Sequence, residues 1–416
     1  PHSPPYGPVF PSAIRSIPYS RICKTSRPEM LAAERINRWL YGEGRLRGNG
    51  VEIVSGYAER LVKAGVPLSR IRVGQQLANP MIAAWGVIWT PQEVQAYDVP
   101  RSTLGTDTWH GSPFQFVIEE RRPLHKRLTD LEAKRDHPTY LELAAEGATD
   151  YFALPLLYGD GSAQGCSFAT DAIGGFSRES LLLIESTRDA LASAMEPRAM
   201  RRTTESLLTT YLGKGPAEAV IKGTILRGEH EALEAVIMFS DLRGFTEKSA
   251  DWTETDLLEA LDEFFAVVVD AVHSQQGEVL KFIGDGVLSI FPVTSKRSAK
   301  HRCRDAIRVA RYILSAMQTL NEARRSQGKE ELAMGAGINL GNVTYGNIGS
   351  PDRLDFTVLG DAVNIASRIQ DMCKMLLEPV LASRQVAEQV PNELLSRGVH
   401  ALHGVREPLE LFRLKV

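Results

Sequence analysis

Two apolar runs in the second half of the chain each deliver an aspartate to a glycine turn, and no other feature restricts the fold as much. Ala235-Val-Ile-Met-Phe239 has the composition of a buried strand, Asp241 arrives at its end, and the turn Gly244-Phe245-Thr246 follows. Asp285 comes 44 residues after Asp241, inside Gly284-Asp285-Gly286, with Val279-Leu-Lys-Phe-Ile283 before it and Val287-Leu-Ser-Ile-Phe291 after it. Two β-type runs flanking Gly-Asp-Gly predict a hairpin with Asp285 at its tip. A single aspartate at a strand end is usually a turn former or a helix cap. Two such units, with Lys281 four residues before the second aspartate, suit a site that holds hard cations against phosphate oxygens. Mg²⁺ takes few protein ligands and keeps its other positions for phosphate and water.

A third unit comprises Gly341-Asn-Val-Thr-Tyr-Gly-Asn-Ile-Gly349 and Phe356-Thr357-Val-Leu-Gly-Asp-Ala-Val-Asn364-Ile-Ala-Ser-Arg368. Asn364 and Arg368 are four apart, so a helix puts them on one face, while Val363, Ile365, Ala366 and Ile369 pack the other side. Arginine keeps its charge and forks onto oxygens, which suits an anionic, phosphate-rich partner. Taken alone, this reads as an exposed helix face with an ordinary arginine.

Taken together, in this order and at this spacing, the three units resemble the catalytic domain of class III nucleotidyl cyclases over about residues 230–416. The resemblance implies a ferredoxin-like α/β core that forms a head-to-tail homodimer, with active sites built across the interface. By matching position it assigns Asp241 and Asp285 to two Mg²⁺ or Mn²⁺ ions per site, and Lys281 and Thr357 to the purine base. It assigns Asn364 to the ribose and Arg368 to the transition-state phosphate. Gly244, Phe245 and Thr246 match the turn that cradles the triphosphate. The family usually carries a lysine near the last hairpin; here Ala401-Leu-His403-Gly-Val-Arg406 stands there, so Arg406 or His403 takes its place.

Lysine donates to a ring-nitrogen acceptor of adenine, and a threonine hydroxyl accepts from the exocyclic amine. Guanine presents a carbonyl and a protonated nitrogen there, and guanylyl cyclases typically carry Glu with Cys. Lys281 and Thr357 therefore imply ATP as substrate and the Thr-bearing bacterial type of adenylate cyclase. The implied reaction is in-line attack of the ribose 3′ oxygen on the α-phosphorus of ATP, with pyrophosphate leaving and no side-chain base named. Two rivals are a guanylate cyclase, disfavoured by Lys281 and Thr357, and an inactive nucleotide-binding or dimerisation module. The presence of Asp241, Asp285, Asn364 and Arg368 argues against the second.

The remaining sequence sets the frame. At 416 residues, with a net charge of −3, the chain has no basic excess that would point to nucleic acid. No apolar run approaches the roughly 18 residues of a membrane span, and the longest candidate, Met81 to Trp89, contains Gly86. The opening Pro-His-Ser-Pro-Pro has neither an initiating Met nor the order of a secretory signal, and Cys23, Cys166, Cys303 and Cys373 include no CxxC pair. Both fit reduced thiols in the cytoplasm.

The expected organisation is a flexible segment at 1–28, a sensory domain at 29–196, a helical linker at 197–230 and the catalytic domain at 231–416. The sensory expectation rests on a strand at Tyr151–Leu157, a Gly159-Asp-Gly-Ser turn, a returning strand at Gly165–Ala169, and a helix capped by Ser177. That series resembles the closing part of small-molecule-sensing GAF domains, cousins of PAS domains, and implies an unidentified small ligand. The fold class is thus α/β (α+β): a ferredoxin-like cyclase domain preceded by an α+β GAF/PAS-like domain and a helical linker. Leu181, Ile184, Leu191 and Met195 form a stripe compatible with a coiled coil, though packing of one amphipathic helix on its own domain is the commoner cause. Pro197 is expected to end or kink that helix. His110 and His125 are read as ordinary histidines rather than haem ligands, Trp85 and Trp89 as core, and Asp355 and Asp361 as turn and cap residues.

Overall fold

A computed structural model describes residues 27–415. The chain forms two compact units, one ending at Thr204 and the other beginning at Glu205. The expected flexible segment, with Cys23, falls almost wholly outside the described residues.

The first unit is built on six antiparallel strands: β1 (Arg70–Gln76), β2 (Ile82–Trp89), β3 (Val94–Pro100), β4 (Leu124–Arg127), β5 (Asp150–Leu157) and β6 (Ala163–Thr170). Their order across the sheet is β3-β2-β1-β6-β5-β4. Alternation along the strands divides the sheet into two faces. Ile71, Val73, Leu154 and Leu156 join one core with residues of helices α1 (Arg27–Tyr41) and α2 (Gly50–Lys63). Tyr151 and Ala153 belong instead to a smaller cluster with α3 (Pro113–Glu120) and α4 (Pro138–Ala145). Trp85 and Trp89 are buried in the larger core, as their spacing suggested. The strand–turn–strand–helix series of the sequence is present, and Ser177 caps its helix by accepting from Ser180 N at 3.1 Å.

The helix after Ser177 departs from expectation. It is two helices, α5 (Arg178–Ser186) and α6 (Arg188–Leu212), broken at Thr187. The Thr187 hydroxyl lies 3.1 Å from Leu183 O and 3.0 Å from Ile184 O, and 2.7 Å from the Tyr57 hydroxyl, a local competitor to the helical ladder. Ile184, Leu191 and Met195 are buried in the first unit's core, so the stripe is spent on that unit and not on a coiled coil. The α6 helix continues through Pro197.

The second unit begins with the end of α6 and continues through α7 (Lys214–Ile221), β7 (His230–Leu242), α8 (Phe245–Lys248), α9 (Glu254–Ser274), β8 (Glu278–Ile283), β9 (Gly286–Pro292) and α10 (Ala299–Ser326). Then come β10 (Met334–Ser350), β11 (Arg353–Leu359), α11 (Asp361–Met375), β12 (Val380–Ser383), α12 (Arg384–Gln389), β13 (Leu394–His400) and β14 (Leu409–Leu414). The sheet runs β13-β14-β12-β10-β7-β9-β8, with β11 paired to β10. It sits between two cores. Val236 and Met238 face Phe264, Val268, Ile307 and Ile313 of α9 and α10. Ala235 and Ile237 face Ala362 and Ala366 of α11. Gly337 brings α11 down on β10: a Cβ there would stand 2.3 Å from Ala366 O. No helix among the described residues is long and apolar enough to cross a membrane.

Candidate active site

β7 carries Asp241 to its end, where the register places it opposite Gly286 of β9. β8 and β9 are joined by the two residues Gly284 and Asp285, and Gly284 has a φ of +62°. A positive φ at the first turn position is what a type II′ hairpin asks for, and glycine adopts it without steric cost. The turn thereby holds Asp285 beside the end of β7. Asp241 Oδ1 is buried without a hydrogen-bond partner. Burial, and then the neighbouring Asp285 as hydrogen-bond partner and charge, push the Asp241 carboxyl up to about 7. Neither aspartate pairs with a lysine or arginine among the described residues.

Two adjacent carboxylates, one with an orphaned buried oxygen, fit a hard divalent cation, which would satisfy that oxygen and offset the mutual repulsion. Among the described residues no third acid, histidine or cysteine completes a cluster, which leaves most of an ion's coordination to substrate and water. Gly244 follows at a φ of +70°, and Phe245 packs against the catalytic core. The side chain of Thr246 lies outside the described residues. Arg243, between the aspartate and the turn, donates to Cys373 O at 2.8 Å and to Glu378 O, so it fastens the end of α11.

A second cluster gathers around β8 and β11. The β8–β9 register shifts between Val279 and Lys281, a bulge that re-aims the strand next to the lysine. Lys281 is half-buried and pairs with Asp355 of β11. Thr357, two residues on and so on the same strand face, is buried opposite Gly346. On α11, Asn364 is exposed and Arg368 half-buried. Arg368 Nη1 donates to Asp371 Oδ2 at 3.0 Å. Arg406 and His403 are exposed in the loop between β13 and β14. No hydrogen bond or ion pair among the described residues joins Asp241 or Asp285 to Lys281, Thr357, Asn364 or Arg368.

Two acids escaped the sequence reading. Asp355 was taken for a turn residue but lies within β11 and holds Lys281; its spacing of two from Thr357 was the available signal. Asp371 pairs with Arg368 and adds to the charge felt by Asp241. Its place three residues after Arg368, a helical neighbour, could have revealed it. The other residues weighed in the sequence take the following places. His110 is exposed, and His125 Nε2 lies 3.0 Å from both Asp150 oxygens. Asp361, expected as a cap, is instead the first residue of α11, whose cap is Gly360 with no side-chain cap bond, and Cys166, Cys303 and Cys373 are buried and free.

Residues 229–400 match the model of the adenylate and guanylate cyclase catalytic domain. That match lies within the second unit, which is therefore similar to the adenylate and guanylate cyclase catalytic domain. Among curated relatives, adenylate cyclase 1 of Rhizobium meliloti is 33% identical over 225 residues, covering 52% of this chain and 33% of that protein. The adenylate cyclase of Anabaena cylindrica is 28% identical over 189 residues, covering 43% of this chain and 36% of that protein. The chain thus spans about a third of the length of these two relatives. Among solved structures, the adenylyl cyclase CyaB from P. aeruginosa aligns at 27% identity with a TM-score of 0.42, over 45% of this chain and 96% of that one. The guanylyl cyclase Cya2 aligns at 26% identity with a TM-score of 0.40, over 45% of this chain and 94% of that one.

Proposed function

We propose that the chain converts ATP to 3′,5′-cyclic AMP and pyrophosphate at sites shared between two copies of itself. The observation that carries the choice of base is Lys281 beside β11 with Thr357 buried on the same strand as its partner Asp355. An ammonium that donates and a hydroxyl that accepts complement the edge of adenine, while guanine presents the reverse pattern. In the reaction the ribose 3′ oxygen bonds to the α-phosphorus in line as the bond to pyrophosphate breaks, and the hydroxyl proton passes to solvent.

Asn364 orients the ribose. Arg368 exchanges Asp371 for the α-phosphoryl oxygens as their charge develops. Gly244, Phe245 and Thr246 supply the turn around the triphosphate, with Arg406 on its far end. Asp241 and Asp285 would hold two Mg²⁺ or Mn²⁺ ions, which would supply Lewis-acid activation of the hydroxyl and positive charge for the leaving group. The head-to-tail homodimer is part of this reading, and it fits the lack of any hydrogen bond or ion pair between Asp241 or Asp285 and Lys281 or Arg368 among the described residues.

The first unit is proposed to be the regulatory, GAF/PAS-like part, with α6 and α7 leading from it towards β7, in a cytoplasmic protein supplied with ATP. The reading is tested with the purified chain, saturating Mg²⁺ or Mn²⁺, and ATP or GTP, the products separated by chromatography. Cyclic AMP should form with kcat/KM at least about tenfold above that for cyclic GMP, the range a mispaired buried polar group imposes. Comparable turnover of GTP would sink the assignment.

A further inference from the structure

The first unit contains a cavity of about 290 Å³ on the sheet face that carries Arg72 and Gly74. Gly74 lines it and stands in a row of glycines on neighbouring strands. Gly74 is paired with Gly86 on one side and Gly165 on the other, and Gly86 is paired with Tyr97. A Cβ would stand 2.3 Å from the Phe114 ring at Gly165, 2.7 Å from it at Gly74, and 2.5 Å from the Tyr97 hydroxyl at Gly86. The row therefore lets two aromatic side chains lie against the backbone where a β-branched residue would normally stand.

Arg72 enters the same space. Its guanidinium lies 4.7 Å from the Tyr97 ring centre and 5.1 Å from that of Phe114. Its Nε donates to the Tyr97 hydroxyl at 2.8 Å. Among the described residues no carboxylate pairs with it, and no aspartate or glutamate lines the cavity. Arg101, also in the lining, is a useful contrast. Its Nε donates to Asn79 O at 2.7 Å and its Nη2 to Leu77 O at 3.1 Å, so Arg101 serves the connection between β1 and β2. An arginine that merely supports the fold spends its donor edge in this way. Arg72 is held flat by two rings with its terminal nitrogens unopposed, which is how a guanidinium is presented to a carboxylate.

We propose that this cavity binds a small planar organic anion: one or two aromatic rings bearing a single carboxylate. The carboxylate sits on the terminal nitrogens of Arg72, and the ring lies against Phe114 and Trp109. The volume is at the lower end of ligand pockets, roughly 300–1,000 Å³, which fits a ligand of this size and not a haem.

The test uses the full chain and a panel of benzoate, salicylate and indole-3-acetate, each beside its neutral amide. Binding is read by isothermal titration calorimetry and by thermal shift. At least one acid should bind saturably at one per chain, and its amide at least tenfold more weakly. Arg72→Met keeps an unbranched stem between the rings and should lower the acid's affinity at least tenfold while the ligand-free chain unfolds at a similar temperature. Gly165→Ala, which drives Phe114 into the cavity, should weaken the same acid without touching Arg72, and it stands in should the first variant not fold. Equal binding of acid and amide overturns the proposal, as does unchanged affinity in the variant, or no saturable binding by any of the three acids. None of these readouts uses cyclase activity, so they stand apart from the catalytic reading.

Discussion

Among the described residues Asp241 and Asp285 meet at a strand end with no lysine or arginine paired to them, whereas Lys281 and Arg368 each already rest on a carboxylate of the same chain. The two halves of the candidate site thus carry opposite debts. The acidic half holds a buried oxygen that nothing in the described chain satisfies. The basic half is satisfied, but by pairs that are weak. Asp355 is 59% exposed, and the Arg368–Asp371 partners are 43% and 55% exposed. Ion pairs in such positions are worth about 0–1 kcal/mol. Such pairs would exchange partners at little cost, whereas the acidic half has no ion pair to give up among the described residues. The comparison teaches that the acidic half is left unbalanced among the described residues, whereas the basic half is already paired.

The largest effect should come from the acidic half. Asp241→Ala and Asp285→Ala should each cut cyclic AMP formation about a thousandfold or more, because on the proposed reading they hold ions that would supply several kcal/mol of charge stabilisation. The temperature of unfolding should not fall, since neither carboxylate makes an ion pair that the fold would lose. Substantial activity in either variant, with metal titrated to saturation, would remove that residue from the metal site and break the contrast between the halves.

Arg368→Ala should cost about a hundredfold in kcat, the loss expected when one preorganised donor is withdrawn from a developing charge. KM for ATP should move less than kcat, because the exchange of Asp371 for phosphate is completed in the transition state. A variant whose KM rises while kcat holds would make Arg368 a plain substrate-binding residue.

A smaller change is expected from Lys281→Glu combined with Thr357→Cys. The ratio of ATP to GTP turnover should fall by about tenfold or more, as the donor and acceptor pattern facing the base is reversed. An unchanged ratio would locate base choice elsewhere on β8 or β11.

Much of the acidic half was legible in the sequence. Period-two alternation put Ala235 and Ile237 on one side of β7 and Val236 and Met238 on the other, and Gly284-Asp285 spelled the hairpin. The basic half was legible as residue types but not as partners, because Asp355 and Asp371 take their roles from a strand pairing and a helix face that no local motif announces. The glycine-rich stretch Gly341–Gly349 has the composition of a turn between strands. It is instead the second half of the 17-residue β10, and the turn to β11 follows Ser350. Glycine reads locally as a breaker, yet here it admits close neighbours: a Cβ at Gly346 would stand 2.2 Å from Glu229 O. Pro197, expected to end or kink its helix, does not end it: the helix runs on from Arg188 to Leu212. Ala192, Ala194, Met195 and Ala199 around it are buried, so tertiary packing outweighs the one backbone bond that proline removes.

The claim that both halves must come from different chains is tested most directly by mixing. Asp241→Ala chains and Arg368→Ala chains are each assayed alone, then combined under conditions where subunit exchange is verified by mass. Each variant alone should be nearly inactive. The mixture should recover cyclic AMP formation, to at most about a quarter of wild type if half of the dimers are mixed and each holds one intact site. A mixture that stays inactive although mixed dimers are present would contradict the shared-site account.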